Sequence, residues 1–250
     1  MDSHAELKRL FKENAFDAVD FGCSTGGSIE YAKKNLNAES VLGIDIDPKK
    51  VERTRSKGYM ATQADLTSLP KIDSKVRFSI MSHFLEHLPS IDLVKKCLIS
   101  AINISEEFIY IQQPYFDADS QLFAKGLKLF WSDWHGHPNR MTILEFHNIL
   151  SLLKYKGLVD DFLILGNVPI KNSNDRAIHS IASKQDQLQW DPEIHPPKPK
   201  RNMWFRFPVF HEIKVIIGLN NHDIISSVQS RVAWSNVLFD SRAPIRVKSR

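Results

Sequence analysis

The sequence predicts an α/β fold built on a doubly wound, mostly parallel sheet with inserted cap segments. Three observations carry this expectation. Apolar runs of strand length alternate with helical patterns through residues 15–115, and glycine or proline closes most of the strand-like runs. Of the 250 residues, 42% are hydrophobic, enough for one sizeable core. Strands that alternate with helices in this way pair in parallel through right-handed crossovers.

In chain order, AFDAVDF (15–21) is a short apolar strand ended by a glycine turn. STGGSIEYAKKNL then opens a helix with Ile29, Ala32 and Leu36 on one side. VLGIDID (41–47) is a second strand stopped by Pro48, and PKKVERTRSKG is a helix with proline in its first turn and glycine near its end. YMATQAD is a short third strand and KVRFSIM a fourth, followed by a turn and helix over SHFLEHLPSIDLVKKCLISAI. EEFIYIQQP, rich in β-branched and aromatic residues, is the fifth.

Residues 116–141 form a cap insertion. TILEFHNILSLLKYKG is an amphipathic helix with Thr142 placed to cap it and Gly157 to end it. LVDDFLILGNVPI gives a sixth strand, completing a core over 1–182. Residues 183–208 turn polar and proline-rich, with Trp190 and Trp204 expected to be exposed, and read as a long loop or lid. The remaining segment, 209–250, supplies a last strand (VFHEIKVIIGL), a helix over DIISSVQSRVAWSNVLF and a basic tail.

Composition narrows the function classes. The formal charge of +4 comes from 33 basic and 29 acidic residues, with much of the excess in KPKR (198–201) and RAPIRVKSR (242–250), so no extended basic stripe marks a nucleic-acid footprint. Two cysteines, Cys23 and Cys97, make no disulfide framework, which fits a reducing cytoplasm. The N-terminus lacks the uninterrupted apolar core of a signal peptide, and no run reaches membrane-spanning length.

The stretch VDFGCSTGG (19–27) fits three signatures. As G-x-S-x-G it is a hydrolase elbow, but Ser24 follows the first strand, before any sheet exists to carry a nucleophile. As G-x-S-x-x-G it is a dinucleotide loop, but Asp20 would then sit beside a pyrophosphate. A cationic or zwitterionic ligand with an adenosine-like ribose tolerates Asp20 better. Asp45 ends the second strand, where a carboxylate accepts ribose hydroxyl protons. Asp65 ends the third, placed to accept from an adenine amino group between the apolar Ile46 and Leu66. Each acid taken alone reads as readily as a turn or helix cap. Three after three consecutive strands make a stronger signal.

With VDFGCSTGG, VLGIDIDP, QADLTSLP and FSIMSHFLEHLP in these places, the chain resembles the class I S-adenosylmethionine (SAM)-dependent methyltransferases, specifically the bacterial small-molecule type. The resemblance runs over about residues 15–115, and more weakly over RMTILEFHNIL. It implies a seven-stranded Rossmann-like sheet whose last strand is antiparallel, SAM at the first strand ends, and methyl transfer to a nucleophile. Asp20, Gly22, Ser24, Gly26, Asp45, Ile46, Asp65, Leu66 and Ser82 are the expected cofactor contacts. Three departures from the pattern stand out: Ser24 for the middle glycine, Ser79 where an Asp is common, and SAINISEEF in place of a Lys-Pro-Gly-Gly turn.

Methyl transfer from a sulfonium needs alignment, desolvation and, for a hydroxyl acceptor, a base. His83 and His87 follow the fourth strand at i, i+4 spacing, which on a helix puts both on one face, and His83 is the first candidate base. The bland alternative is that His87 and Glu86 only tie the helix start to a neighbouring loop. WSDWHGHPNR offers Trp131, Trp134, His135 and His137 as recognition groups for a polar ring such as a sugar. The same segment, with Asp133, is too small a cluster to predict a metal. The expected acceptor is thus a small molecule or glycan, without nucleic acid or membrane as partner. Two alternatives are an RNA methyltransferase, which would usually carry an Asn/Asp-Pro-Pro-Tyr-type motif after strand four, and an inactive methyltransferase-like binding protein, which should have lost some of the three acids. The acceptor atom and the oligomeric state are not written in the sequence.

Overall fold

The computed structural model describes residues 3–199, 202–220, 223–232 and 236–243. Lys200, Arg201 and 244–250, which hold much of the expected basic excess, lie outside the described residues. A helix α1 (Ser3–Glu13) precedes β1 (Ala18–Phe21), α2 (Gly27–Asn35), β2 (Val41–Asp45), α3 (Pro48–Ser56), β3 (Met60–Gln63) and β4 (Val76–Ser82). Then come α4 (Ile91–Ile104), β5 (Ser105–Pro114), α5 (Asp119–Phe123), β6 (Leu127–Leu129), α6 (Ile143–Tyr155) and β7 (Asp161–Pro169). The chain continues through β8 (Ile178–Ser180), β9 (Phe210–Gly218), α7 (Ile224–Gln229) and β10 (Asn236–Asp240).

The main sheet has eight strands in the order β10-β7-β9-β5-β4-β1-β2-β3. Strands β1 to β5 are mutually parallel, while β9 runs antiparallel between β5 and β7, and β10 antiparallel on the β7 edge. Strand order reverses between β1 and β4, which opens the ligand crevice at their carboxyl ends. A two-stranded ribbon, β6 with β8, stands apart from this sheet.

Both faces of the sheet are covered, so its strands are apolar almost throughout. Along β5, Ile109 and Ile111 enter one core while Phe108 and Tyr110 enter the other. Each fully buried Ile or Phe contributes about 1.5–3 kcal/mol, so these strands hold the strand ends in fixed relative positions. The Phe78 and Phe108 rings stack at 4.5 Å between β4 and β5. Ser79, one of the departures, is buried and its hydroxyl pairs with that of Ser105 at 2.7 Å. The Ser105 hydroxyl comes from the position where α4 passes directly into β5 with no intervening turn.

Three expectations are corrected, and one segment left unassigned from the sequence is filled in. The sheet has an eighth strand, β10, because the segment read as a helix over 223–239 is, among its described residues, helical only at Ile224–Gln229 and its end pairs with β7. The N-terminal segment forms the helix α1. Residues 83–87 are not α-helical: His83 has φ +50°, Leu85–His87 is a single 3-10 turn, and α4 begins only after the Ser90 cap. The i, i+4 argument for His83 and His87 therefore fails, although the turn still aims both at the crevice. Trp204 is exposed as expected, but Trp190 is tucked in, its indole N–H given to the Pro196 carbonyl and its ring under the Lys198 ammonium.

Candidate active site

The turn after β1 forms the floor of the crevice. Gly22 has φ +82°, and a Cβ there would stand 2.6 Å from the Phe84 ring, so only glycine fits between the loop and that side chain. Ser24 adopts φ +49° where glycine would be unstrained; its N–H donates to Asp45 Oδ2 at 3.0 Å and its carbonyl accepts from the Thr54 hydroxyl at 2.9 Å. Those two bonds hold it in a region that costs a non-glycine residue about 1–2 kcal/mol. Gly26, also at positive φ, caps α2. Asp45 takes a second backbone N–H, from Asp47 at 3.0 Å, on its other oxygen. Each carboxylate oxygen retains a further lone pair for a ribose hydroxyl.

Gly22, Ser24 and Asp45 line a cavity of about 690 Å³ at the strand ends, together with Ile46, Asp65, Leu66, Ser82, Phe84 and Leu93, whereas Gly26, an expected contact, shapes the loop without lining it. That size suits a nucleoside-bearing cofactor. The Asp65 carboxylate is held below its ordinary range: burial pushes it up, but the bonds from Thr67 and Ser68 outweigh this. Asp20 is not on the wall. It lies fully buried beneath the loop, with Oδ2 accepting from the Ser28 hydroxyl and Oδ1 unpartnered. Burial, reinforced by the charge of Asp45 and opposed by the Ser28 bond, raises it to about 7. A ligand carrying a sulfonium and an ammonium suits an acidic site with an orphaned buried oxygen, so the residues fit SAM.

A second cavity, of about 390 Å³, adjoins the first, and His83, His87 and Trp134 belong to both walls. Its other residues include Glu86, Trp131, His137, Gln187, Gln189 and Glu212. His83 is clamped there: its N–H donates to the Gln112 carbonyl, Nε2 lies 3.0 Å from Glu212 Oε1 and Nδ1 lies 3.3 Å from Glu86 Oε1. Burial opposes its charge, but the two carboxylates outweigh that and raise His83 to about 10. With its ring 44% exposed, solvent weakens but does not reverse this pull. At neutral pH His83 is therefore an imidazolium without a lone pair, which corrects the expectation that it is the base. Its positive φ is held by the same contacts, a strain typical of functional turns.

His87 and His137 differ from it. The Nδ1–H of His87 donates to the Gly136 carbonyl at 2.8 Å and that of His137 to the Trp131 carbonyl at 3.1 Å, which leaves both Nε2 lone pairs available. Burial lowers His137 and the charges of His87 and His83 add to this, against the Trp131 bond and Glu86, so it stays neutral. One donor atom each from Glu86, His87 and His137 lies within 4.8 Å of the others. The fully buried Glu86 carboxylate has no aligned hydrogen bond. These three are the residues of this site able to hold a cation. The set weighed from sequence does not converge: Asp133 is taken by Lys128 at 2.6 Å, and His135 is exposed and lines neither cavity. Trp131 is buried with its N–H given to the Tyr115 carbonyl.

Sequence reasoning missed Glu212, Gln187 and Gln189, which reach the site from beyond residue 180. The only signal for Glu212 was a polar His-Glu pair opening a strand that is apolar from there on except for Lys214.

Residues 18–104 match the family model described as methyltransferase domain, a span that contains the strands building the larger cavity. Comparison with curated proteins gives no match. Among solved structures, a SAM-dependent methyltransferase from Archaeoglobus fulgidus is 19% identical, covering 86% of this chain and 92% of its own, with a TM-score of 0.55. The YcgJ protein of Bacillus subtilis is 14% identical over 88% of this chain and 99% of its own, at 0.51. A SAM-dependent methyltransferase from Thermotoga maritima, described as a possible histamine N-methyltransferase, is 13% identical over 87% and 90%, at 0.50. At such identities the likeness speaks for the fold, and it covers most of each chain. The methyltransferase-domain match lies on the strands that build the cavity, and the fold is that of solved SAM-dependent methyltransferases, so the larger cavity is the place for SAM.

Proposed function

We propose that the protein transfers the SAM methyl group to a hydroxyl of a small polar acceptor, such as a sugar or glycan end, held in the second cavity. The observation that carries this reading is the wall shared by the two cavities: His83, His87 and Trp134 stand where a methyl donor on one side meets an acceptor on the other. Two indoles, two glutamines and several imidazoles give the acceptor side flat apolar faces with polar donors, the mix that binds a hydroxylated ring. The cofactor supplies an electrophilic methyl group. His87 accepts the hydroxyl proton on Nε2, its tautomer fixed by the Gly136 carbonyl. The His83 imidazolium, paired with Glu86 and Glu212, orients the acceptor and holds the turn in place. Gln187 and Gln189 make the 183–208 segment part of the acceptor wall, in keeping with a lid.

Labelled SAM incubated with panels of sugars, other small hydroxylated molecules and RNA tests this. Label is expected in a small hydroxylated acceptor, with turnover falling roughly 10²- to 10⁴-fold in His87→Ala and SAM affinity preserved. Label in RNA would replace the acceptor class; SAM binding without transfer to any panel would favour a binding protein.

A second reading is favoured by the Glu86 carboxylate, buried without an aligned partner beside two free imidazole nitrogens. A divalent cation there would replace the base by acidifying the acceptor hydroxyl. Activity lost on chelator dialysis and restored by added metal, in a form abolished by Glu86→Gln, would select it.

A further inference from the structure

The ribbon of β6 and β8 carries a cluster that methyl transfer leaves unused. His179, opposite Lys128 in the register, is fully buried, and neither ring nitrogen has a hydrogen-bond partner among the described residues. A buried imidazole left so is costly unless something binds it. Facing it are two residues of the following segment. The His195 ring lies 4.3 Å from the His179 ring, and His195 Nε2 lies 3.1 Å from Asp186 Oδ2. One donor atom from each of the three lies within 4.8 Å of the others.

We infer that His179, Asp186 and His195 form a binding site for a divalent transition ion of the zinc class, with a fourth position left for water. In a tetrahedron of ~2.1 Å bonds the donors stand about 3.4 Å apart, so small side-chain rotations close the observed spacing. His195 Nδ1 faces both the N–H and the carbonyl of Asp191, at 3.0 and 3.2 Å. Nδ1 accepts from that N–H while Nε2–H donates to Asp186; an ion taking Nε2 would move the proton to Nδ1, where the Asp191 carbonyl stands ready to accept from it as the outer-shell partner.

The nature of the ion follows from the surroundings. The Lys128 ammonium is bound to Asp133 and the Ser183 carbonyl, and that of Lys198 to the carbonyls of Ser173 and Asp175. Their charge disfavours a hard dication held by electrostatics alone, whereas imidazole nitrogens select zinc-like ions. Asp186 is only partly buried and gives the ion a way in. The site closes a loop that contains Gln187 and Gln189 of the acceptor wall, so the ion would fix one side of that cavity.

The test uses the whole chain, stripped by chelator dialysis and titrated with Zn²⁺ alone against a chromophoric chelator, alongside His137→Ala, which breaks the Glu86 cluster. Wild type and His137→Ala are expected to share one Zn²⁺ site and to melt higher with the ion. Asp186→Asn and His195→Gln should lose more affinity than the roughly 10- to 100-fold that an outer-shell partner costs. Asp186 is partly exposed, so Asp186→Asn keeps the test readable if a histidine variant fails to fold. The inference is overturned by no saturable Zn²⁺ binding, by binding equal in wild type and Asp186→Asn, or by binding that His137→Ala alone removes.

Discussion

His83 Nε2 lies 3.0 Å from Oε1 of Glu212, joining the end of β4 to the start of β9 across the intervening β5. Glu212 also accepts from Gln112 at 3.1 Å and Asn167 at 2.9 Å, so one carboxylate gathers four strands at the acceptor cavity.

That pair makes stability depend on pH in a definite direction. His83 is raised from 6.5 to about 10, so the folded state keeps a proton that the unfolded chain releases. The contribution is fully present below about 6.5 and is lost as pH rises through 10. Urea unfolding of wild type and Glu212→Gln should therefore differ most near pH 6 and converge near pH 10. A gap that widens with pH would contradict the assignment.

Asp20 acts in the same direction over a lower pH window, here as a burial penalty that grows as the carboxyl ionises. Its rise from 3.8 to about 7 means that the folded state holds a proton after the unfolded chain has lost it, so its contribution falls as pH climbs between those values. Asp20→Asn should gain stability over wild type across that window and keep the gain above it. A cationic ligand favours the ionised carboxylate, so SAM affinity should rise from pH 6 to 8 more than that of the demethylated product, which lacks the sulfonium. Calorimetry in buffers of different ionisation enthalpy would record the released proton.

Asp45→Ala removes the acceptor placed for the ribose hydroxyls and the partner of the Ser24 and Asp47 amides. SAM affinity should fall by about 1.5–3 kcal/mol, measured by calorimetry. An unchanged affinity would mean that the ribose lies elsewhere.

Gly136 packs against Trp134 so closely that an added Cβ would stand 2.2 Å from the indole. Gly136→Ala should push the ring off the shared wall, raising the acceptor KM and weakening SAM together while changing the melting temperature little. A change in only one of the two would show that Trp134 serves a single cavity.

The Thr142 cap predicted from the helix pattern is present, and Glu145 extends it to a capping box in which each side chain bonds the other's backbone N–H. Thr142→Ala should cost about 1 kcal/mol in urea unfolding.

What could be read in advance follows from how local each signal is. The Gly22 turn, Asp45 and Asp65 were legible because each acts within a few residues of its own strand end, and all three line the larger cavity. His83 was legible as a position and misleading as a base. Its state is set by Glu212, 129 residues away, and no spacing rule encodes that. The helix expected over 83–87 failed because the chain needs a positive φ at His83 to swing back under Gly22, where Phe84 fills the space a side chain would take. Strand β10 went unread because its sequence, NVLFD, follows a helical period as well as an extended one, and only pairing with β7 decides between them.

The wedging of β9 between β5 and β7 has a consequence for how the chain folds. Gly218 pairs with Phe108 on one side and Asp161 on the other, so the sheet closes only after a contact spanning 110 residues is made. Until then β5 and β7 each present an open apolar edge, the arrangement that recruits other chains. Closure over such a distance makes late, slow collapse of this half of the sheet the expected rate-limiting event. Chains cut at residue 208 should keep the β1–β4 half compact yet aggregate, and supplying the missing strand as a peptide in trans should relieve this.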